Sequence, residues 1–296
     1  MFWGVCMSDE SNSGGEKKIG TLYLCATPIG NLEDMTYRAV RVLGEVPLIA
    51  AEDTRRTRQL LTHFGLSTRL VSYHEHNKEE KGPRLIAWLA EGNDLACVSD
   101  AGLPGVADPG ARLAADAVAA GIRVVPLPGA NAALSALIAS GLDTERFSFV
   151  GFLPRTKEKR RERLSEISGR EDTLIFYEAP HRLAETMKAI LDALGDRPAA
   201  IARELTKKFE EFRRGRLSEL LAWCEETPPR GEFVLVVGGA EEKTEAVPAA
   251  PEDAVELART LAAGGMAKKE AIREAARRTG LSRRDVYQAM LSAEGK

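Results

Sequence analysis

Five short segments carry polar side chains that could hold a ligand, and three of them also contain turn-forming glycine or proline. They are residues 27–31 (TPIGN), 52–55 (EDTR), 74–77 (HEHN), 99–106 (SDAGLPGV) and 128–131 (PGAN). Glycine and proline bring backbone amides close to a ligand, while aspartate, asparagine and serine supply fixed hydrogen bonds. Tight turns alone would explain any single segment, but five together favour a cleft that binds a cofactor.

Other kinds of chemistry find less support. His74 and His76 flank Glu75, but histidines two residues apart point the same way only on a strand, and no third metal ligand is evident. The sequence contains no G-x-x-x-x-G-K-[ST], G-x-G-x-x-G or G-x-S-x-G motif. The P-loop, standard dinucleotide-binding and α/β-hydrolase interpretations therefore lose their main support, and we expect no bound metal.

The elements that must position these segments are short apolar runs separated by helix-like stretches. In the first half the runs are residues 22–26, 47–51, 70–72, 95–99 and 124–127, and each is followed by one of the five segments. Continuous apolar strands that alternate with helices predict a parallel sheet covered on both faces. Such sheets bind ligands at the carboxyl ends of their strands, where the loops converge.

The second half has a different pattern. Its predicted strands are residues 147–152, 173–177, 199–202, 209–213 and 233–237. Residues 204–215 lack a helical stripe and predict a hairpin or strand pair with a charged connection. This half is better interpreted as a mixed sheet with helices than as a repeat of the first.

A third region follows an acidic stretch rich in alanine and proline. Residues 239–253 predict a linker, and about 40 residues after it predict three short helices with a glycine-containing turn at residues 280–282, the spacing of a helix-turn-helix. The fold class is therefore α/β, with a parallel-sheet domain, a mixed-sheet domain and a small helical module. The predicted divisions are a flexible extension at 1–18, α/β domains at 19–132 and 133–238, the linker, and the helix-turn-helix at 254–294.

Composition describes an ordinary globular chain. The 296 residues include 41 Lys and Arg against 44 Asp and Glu, a formal net charge of −3 that gives no sign of a strongly cationic nucleic-acid binder. The four cysteines are dispersed, which fits a reducing cytosol, and no apolar run reaches the roughly 20 residues of a membrane helix. We expect a cytoplasmic protein without a membrane partner.

The distribution of charge modifies that conclusion. Residues 155–170 and 264–285 each hold seven basic residues against three acidic ones, and residues 203–216 hold six against three. A charge run is usually a solvated helix face, but these segments also provide cations that RNA phosphates require. Acidic residues elsewhere, including the predicted linker, conceal the local excess in the whole-chain sum.

Six strings, in order, carry a resemblance to a known family. They are residues 22–32 (LYLCATPIGNL), 51–55 (AEDTR), 74–77 (HEHN), 99–102 (SDAG), 176–182 (FYEAPHR) and 203–207 (RELTK). Together they resemble the ribosomal RNA small-subunit methyltransferase I family, the cytidine 2′-O-methyltransferase branch of the tetrapyrrole methylase superfamily. The resemblance runs from about Ile19 to the C-terminus and includes the helix-turn-helix.

The resemblance implies a fold, a reaction and partners. S-adenosylmethionine would donate its methyl group to a ribose 2′-hydroxyl of small-subunit ribosomal RNA, free or in the 30S subunit, in a cleft between two α/β domains of a homodimer. The implied cofactor-binding residues are Pro28, Asp100, Ala101, Gly102, Val106, Asn131, Ala132, Ala179, Gly231, Glu232 and Phe233. The RNA-binding candidates are Arg155, Lys157, Lys159, Arg160, Lys207, Arg283 and Arg284.

The reaction calls for a base, since a neutral sugar hydroxyl is a weak nucleophile. The candidate bases are Asp53, Glu75 and Glu178, with Asp53 preferred because it ends a predicted strand beside Arg55, which would orient it or hold a phosphate. An Asp53–Arg55 ion pair or a helix cap is an equally weighted alternative.

Two other functions remain open at this point. One is a tetrapyrrole C-methyltransferase, against which the basic segments and the helical module argue. The other is a non-catalytic regulator that binds nucleic acid through the helix-turn-helix, and the dense polar loops favour an enzyme over it. The helical module itself is either an RNA-binding element or a packing or dimerisation module.

Overall fold

The computed structural model describes residues 19–240, 251–279 and 281–294. The predicted flexible extension at residues 1–18 lies outside the described residues, as does most of the predicted linker, at residues 241–250. Contacts divide the chain into two compact units. Among the described residues, the larger unit runs to Ser168 and continues over Asp172–Gly238, and the smaller consists of Gly169–Glu171 and the residues from Gly239 onward.

The first half of the larger unit is a five-stranded sheet in the order β3-β2-β4-β1-β5, and every strand pairing is parallel. Its strands are β1 (Thr21–Cys25), β2 (Ile49–Ala51), β3 (Leu70–Ser72), β4 (Leu95–Val98) and β5 (Arg123–Leu127). Its helices are α1 (Tyr37–Glu45), α2 (Thr54–His63), α3 (Lys78–Ala90), α4 (Gly110–Ala119) and α5 (Ala132–Ser140). β2 and β4 are fully buried along their length, which explains their continuous apolar sequences and confirms the predicted parallel sheet.

The second half is a mixed sheet in the order β6-β7-β10-β8-β9, as predicted. Its strands are β6 (Phe147–Phe152), β7 (Thr173–Glu178), β8 (Pro198–Arg203), β9 (Glu211–Arg216) and β10 (Phe233–Val237). Its helices are α6 (Lys157–Ile167), α7 (Leu183–Leu194) and α8 (Leu217–Glu226). Among the described strands of this sheet, only β6 and β7 pair in parallel; β10 is antiparallel to both β7 and β8.

The predicted hairpin is the antiparallel pair β8–β9. β9 begins at Glu211 rather than at the predicted Phe209, because Phe209 lies in the charged connection with 69% of its surface exposed. The two sheets belong to one compact unit, and the predicted domain boundary at residue 132 coincides with the first residue of α5.

The described part of the smaller unit contains three helices, α9 (Pro251–Ala263), α10 (Lys268–Thr279) and α11 (Arg283–Glu294). α9 begins inside the segment predicted as linker. Ala258, Ile272, Val286 and Met290 are central to the small apolar core that holds the helices together. Within the described part of the chain, no helix is both long enough and apolar enough to cross a membrane.

Candidate active site

A cavity of about 400 Å³ lies where the strand ends of the two sheets meet. Because β10 runs antiparallel to β7 and β8, its first residue, Phe233, pairs with the last residues of those strands, Glu178 and Arg203. The second sheet therefore presents two strand ends and one strand beginning to the cavity. The wall from the first half consists of Ile29, Glu52, Arg56, Asn131, Ala132 and residues 99–103 and 106–108. The wall from the second half consists of Phe152, Tyr177, Glu178, Ala179, Pro180, Ala202, Leu205, Glu232, Phe233 and Val234.

The loop between β4 and α4 supplies the largest part of this wall, and its backbone is held rigidly. Gly102 and Thr27 exchange two backbone hydrogen bonds of 2.9 Å, which tie the loop to the end of β1. The Asp108 carboxylate accepts hydrogen bonds from the backbone N of Gly105 (2.8 Å) and Gly110 (2.7 Å). Ala107 has a φ of 64°, a left-handed conformation that a residue with a side chain adopts only when its surroundings enforce it. The loop is therefore a preformed wall.

Glu52 and Asp100 lock two strand ends together. The Asp100 backbone N donates to Glu52 Oε2 (3.1 Å), and the Asp53 backbone N donates to Asp100 Oδ1 (3.0 Å). Arg56 Nη1 lies 3.3 Å from Asp100 Oδ2. Burial raises the pKa of the Glu52 carboxyl above its ordinary 4.5, and the negative charges of Asp100 and Asp108 act in the same direction. Glu52 is thus a carboxylate on the cavity wall whose basicity is increased.

Asp53, the preferred base from the sequence, is engaged elsewhere. Its carboxylate caps α2 and accepts from Arg55 through the backbone N (2.8 Å), Nε (3.2 Å) and Nη2 (2.9 Å). These hydrogen bonds lower the pKa of Asp53 to about 2, which makes it a weak base. Neither Asp53 nor Arg55 lines the cavity, and the pair has the geometry of the alternative, an ion pair and helix cap. The catalytic role of both residues stays a prediction.

Glu75 also lies away from the cavity. It follows β3, the edge strand, which is separated from β4 by β2 and hence by roughly 10 Å at the usual spacing of strands. Its side chain is exposed and pairs with Lys78 at 2.6 Å. Glu75 therefore lies outside the cavity wall, and its role as a base stays a prediction.

Glu178 does line the cavity, but both of its oxygens are occupied. Oε2 accepts from Thr186 Oγ1 (2.6 Å) and Oε1 from the backbone N of Ala179 (2.9 Å). Arg182 approaches it to 3.5 Å and also donates to the carbonyl oxygen of Leu153 (3.2 Å). Through these contacts, the buried Glu178 carboxylate fixes the loop after β7, and Arg182 joins that loop to the loop after β6.

Most of the predicted cofactor-binding residues lie together. Asp100, Ala101, Gly102, Val106, Asn131, Ala132, Ala179, Glu232 and Phe233 all line the cavity. Pro28 instead lines an adjoining cavity of about 300 Å³, which shares Arg56, Ser99 and Asp100 with the first. Gly231 lies beside the wall, and a Cβ there would meet the Glu204 side chain at 2.5 Å. The cofactor role of these residues stays a prediction.

The predicted RNA-binding residues divide into accessible and engaged cations. Arg155 precedes α6, Lys157 and Lys159 lie in its first turn, and all three are exposed. Arg160 is buried, with 4% of its surface exposed, and pairs with Glu185 at 2.5 Å, so its guanidinium is not available to RNA and its assignment is corrected. Lys207 is held by Glu204 (2.9 Å) and Glu232 (3.0 Å). In the smaller unit, Arg283 and Arg284 line a separate basic groove.

Glu52, Arg56, Phe152 and Tyr177 belong to the site but were not predicted from the sequence. Glu52 lies in the predicted ligand-binding segment 52–55, next to Asp53, which the sequence favours as the base. The signal that distinguishes the two was available: Asp53 directly precedes the helix, where aspartate is a preferred cap. Nothing in the local sequence indicates the position of Tyr177, whose Oη accepts a hydrogen bond from the backbone N of Ala133 (3.2 Å).

Comparisons with known proteins agree with this architecture. Residues 21–221 match the family described as Tetrapyrrole (Corrin/Porphyrin) Methylases, and residues 248–294 match the RsmI C-terminal HTH domain. Ribosomal RNA small subunit methyltransferase I of Halalkalibacterium halodurans is 54% identical over 90% of this chain and 93% of its own, and that of Bacillus subtilis is 50% identical over 93% and 95%. The crystal structure of uroporphyrin-III-C-methyltransferase from Thermus thermophilus matches with a TM-score of 0.51 and 27% identity, over 74% of this chain and 94% of its own.

Proposed function

Because the chain belongs to the ribosomal RNA small subunit methyltransferase I family, within the tetrapyrrole methylases, we propose that it methylates the 2′-hydroxyl of a cytidine ribose in small-subunit ribosomal RNA with S-adenosylmethionine. One observation carries the proposal beyond the family name. The cavity at the strand ends combines small and apolar walls with a carboxylate, that of Glu52, whose pKa is raised.

The cavity has the properties that S-adenosylmethionine requires. Its volume of about 400 Å³ falls in the range of small-molecule sites. Small residues, namely Ala101, Gly102, Ala132 and Ala179, leave that space open, whereas larger side chains would fill it. The carboxylates of Asp100 and Glu232 add negative charge to the wall, which suits a ligand that carries a sulfonium and an ammonium group.

We assign Glu52 as the residue that accepts the proton of the attacking hydroxyl. When bound, S-adenosylmethionine supplies a methyl group on a positively charged sulfur that leaves readily. The chain must then align a hydroxyl behind that methyl group and remove the proton as the hydroxyl reacts. Glu52 is suited to that task because its raised pKa brings its basicity closer to that needed near neutral pH. Asp100 holds the Glu52 carboxylate in place through its backbone N.

Two surfaces support binding of RNA. Arg155, just before α6, and Lys157 and Lys159, in its first turn, form an exposed cationic segment that follows β6. In the smaller unit, the groove that includes Lys269, Arg273, Arg283, Arg284 and Tyr287 has the composition of a phosphate-binding surface. Lys207 holds the loop after β8 against Glu232 and serves as a structural cation in this proposal.

Methyl transfer is tested with labelled S-adenosylmethionine and purified small ribosomal subunits or their free RNA. After nuclease digestion, we expect label in a cytidine that carries its methyl group on the ribose. Label on a base, or no label in RNA under conditions where the cofactor binds, contradicts the proposal.

A second function has one observation in its favour, the likeness to a solved uroporphyrin-III-C-methyltransferase. That enzyme covers only 74% of this chain, and the matched helix-turn-helix domain lies at the C-terminus. Incubation of the same protein and cofactor with a porphyrinogen distinguishes the two functions. Carbon methylation of the macrocycle would favour the second.

A further inference from the structure

The edge strand β6 carries three exposed phenylalanines. Phe147, Phe149 and Phe152 have 44%, 38% and 57% of their surface exposed. β6 is the outer strand of the second sheet, next to β7. Large apolar side chains grouped at one edge indicate a binding surface.

An irregularity in β6 brings two of these rings to the same neighbour. In a regular strand, residues three apart point to opposite faces of the sheet. Here the register against β7 shifts between Phe149 and Gly151, and Gly151 has a φ of 71°, a left-handed conformation that favours glycine. A bulge of this kind turns the following side chain, and bulges recur beside functional sites.

The consequence is a cluster of three rings, which we call the aromatic platform: Phe149, Phe152 and Tyr177. The Tyr177 ring meets Phe149 edge-on at a centroid distance of 5.0 Å and Phe152 at 5.6 Å. Tyr177 is anchored by its hydrogen bond with the Ala133 backbone, and Arg182 holds the chain just after Phe152 through the carbonyl oxygen of Leu153. Phe152 thus packs against Tyr177 on one side, while more than half of its surface is exposed to solvent.

The surroundings of the platform point to one class of ligand. Phe152 and Tyr177 line the cavity proposed to hold S-adenosylmethionine, so a group on the platform lies beside that cavity. Arg155 follows Phe152 by three residues, within about 11 Å along the chain, and Lys157 and Lys159 come next. An exposed aromatic ring followed by cations matches single-stranded RNA, whose bases stack on rings while cations contact its phosphates.

We propose that Phe152, braced by Phe149 and Tyr177, stacks against a nucleobase of the single-stranded RNA segment that delivers its ribose to the cavity. The inference rests on the proposed function and adds a base-binding subsite to it. Stacking does not depend on a base's hydrogen-bonding pattern, so the platform holds the strand and other contacts select the nucleotide.

The test compares two substitutions that separate aromatic character from bulk. Phe152→Leu keeps an apolar side chain without a ring face, whereas Phe152→Trp enlarges the face. We expect Phe152→Leu to raise the KM for small ribosomal subunits about tenfold, equivalent to about 1.4 kcal/mol, and Phe152→Trp to stay within about twofold of the wild type. Calorimetry without RNA measures the Kd for S-adenosylmethionine separately, and any rise in that Kd for Phe152→Leu should be smaller than the rise in KM. Phe147→Leu, on the same strand but outside the platform, is the matched control and leaves KM unchanged.

A direct measurement uses the fluorescence of the tryptophan introduced by Phe152→Trp. Addition of oligocytidylate should quench it beyond the change in the wild-type protein, as stacking brings a base onto the indole.

Three results would overturn the platform. The first is an unchanged KM in Phe152→Leu. The second is a loss of S-adenosylmethionine affinity in Phe152→Leu as large as the rise in KM, which would assign Phe152 to the cofactor. The third is a wild-type dimer that dissociates in the Phe152→Leu variant, seen by sedimentation, which would assign β6 to contact with a second copy. Wild-type protein that transfers no methyl group to RNA would instead overturn the proposed function and the platform with it. If the wild-type protein methylates RNA and the Phe152→Leu variant has the same KM, only the platform is overturned.

Discussion

The two sheets of the larger unit contribute different chemistry to the same cavity. All strands of the first sheet are parallel, so their carboxyl ends lie at one edge and the loops there bring Glu52, Asp100 and Asp108 together. The second sheet is mixed and presents the ends of β7 and β8 with the start of β10. It contributes Phe152, Tyr177 and Phe233 to the wall. The parallel sheet contributes polar loops at its strand ends, whereas the mixed sheet contributes aromatic side chains of its strands.

The contrast is sharpest between two glutamates on opposite walls. Glu178 accepts hydrogen bonds at both oxygens, from a buried hydroxyl and from a backbone amide. Glu52 accepts one from the backbone of Asp100, through Oε2. Its pKa is raised by burial and by neighbouring negative charges. Under the proposed function, proton transfer belongs to the first sheet and structural support to the second, and substitutions in each wall can break that division.

The largest effect is expected for Glu52→Gln, which removes the proposed base with little change in shape. We expect kcat for methyl transfer to fall by about 100-fold or more, because general-base catalysis contributes about 10²–10⁴. Affinity for S-adenosylmethionine should persist, as measured by calorimetry. In the wild type, kcat should rise with pH as Glu52 ionises, with an inflection above the ordinary pKa of 4.5. A variant that keeps its turnover removes Glu52 from the mechanism.

Glu178→Gln should instead affect stability. The amide retains one oxygen, but its NH2 group faces the donors that the carboxylate satisfied, and a buried mismatch of this kind costs about 1–3 kcal/mol. Urea unfolding measures the loss, and Thr186→Val, which removes the partner hydroxyl, should destabilise in the same direction. If Glu178→Gln loses turnover as severely as Glu52→Gln while unfolding at the wild-type urea concentration, the division between the sheets is wrong.

A smaller effect is expected for the cations that follow β6. Replacing Lys157 and Lys159 with alanine should weaken RNA binding and reduce the dependence of log K on log salt by about 0.7 for each phosphate that the variant no longer binds. Arg160→Ala, on the same helix, should destabilise the fold and leave the salt dependence unchanged, because Arg160 is buried against Glu185. Binding titrations at several salt concentrations separate the two; equal salt slopes in the wild type and the double variant would exclude this surface.

The smallest effect on turnover is expected for Asp53→Asn, the neighbour of the proposed base. Because Asp53 has a pKa of about 2 in the folded state, lowered by Arg55, its ionised form stabilises the fold above the ordinary pKa of 3.8. That contribution is lost as the pH falls towards about 2, and the variant lacks it throughout. Thermal unfolding at pH 7 and at pH 2 measures the difference. A loss of turnover comparable to that of Glu52→Gln would restore Asp53 as the base.

Much of the architecture could be predicted from local sequence. Strand and helix periodicity, together with turn residues, identified the parallel sheet, the mixed sheet and the helical module. The polar loops at strand ends identified the cleft, because parallel strands must end at one edge. Family-specific strings, above all residues 26–32 and 176–182, indicated the class of enzyme.

Only the tertiary structure decided which residues of those loops face the cavity. Glu52 and Asp53 are adjacent carboxylates. The choice between them depends on where β2 ends and on the backbone N of Arg55, which donates a hydrogen bond to the Asp53 carboxylate at the start of α2. Arg160 belongs to a basic run, yet the packing of α6 against α7 buries it. Phe149, Phe152 and Tyr177 meet because a bulge and a strand pairing bring distant residues together. Local sequence determines which elements form, whereas the direction of a side chain at an element's end depends on contacts that are distant in the chain.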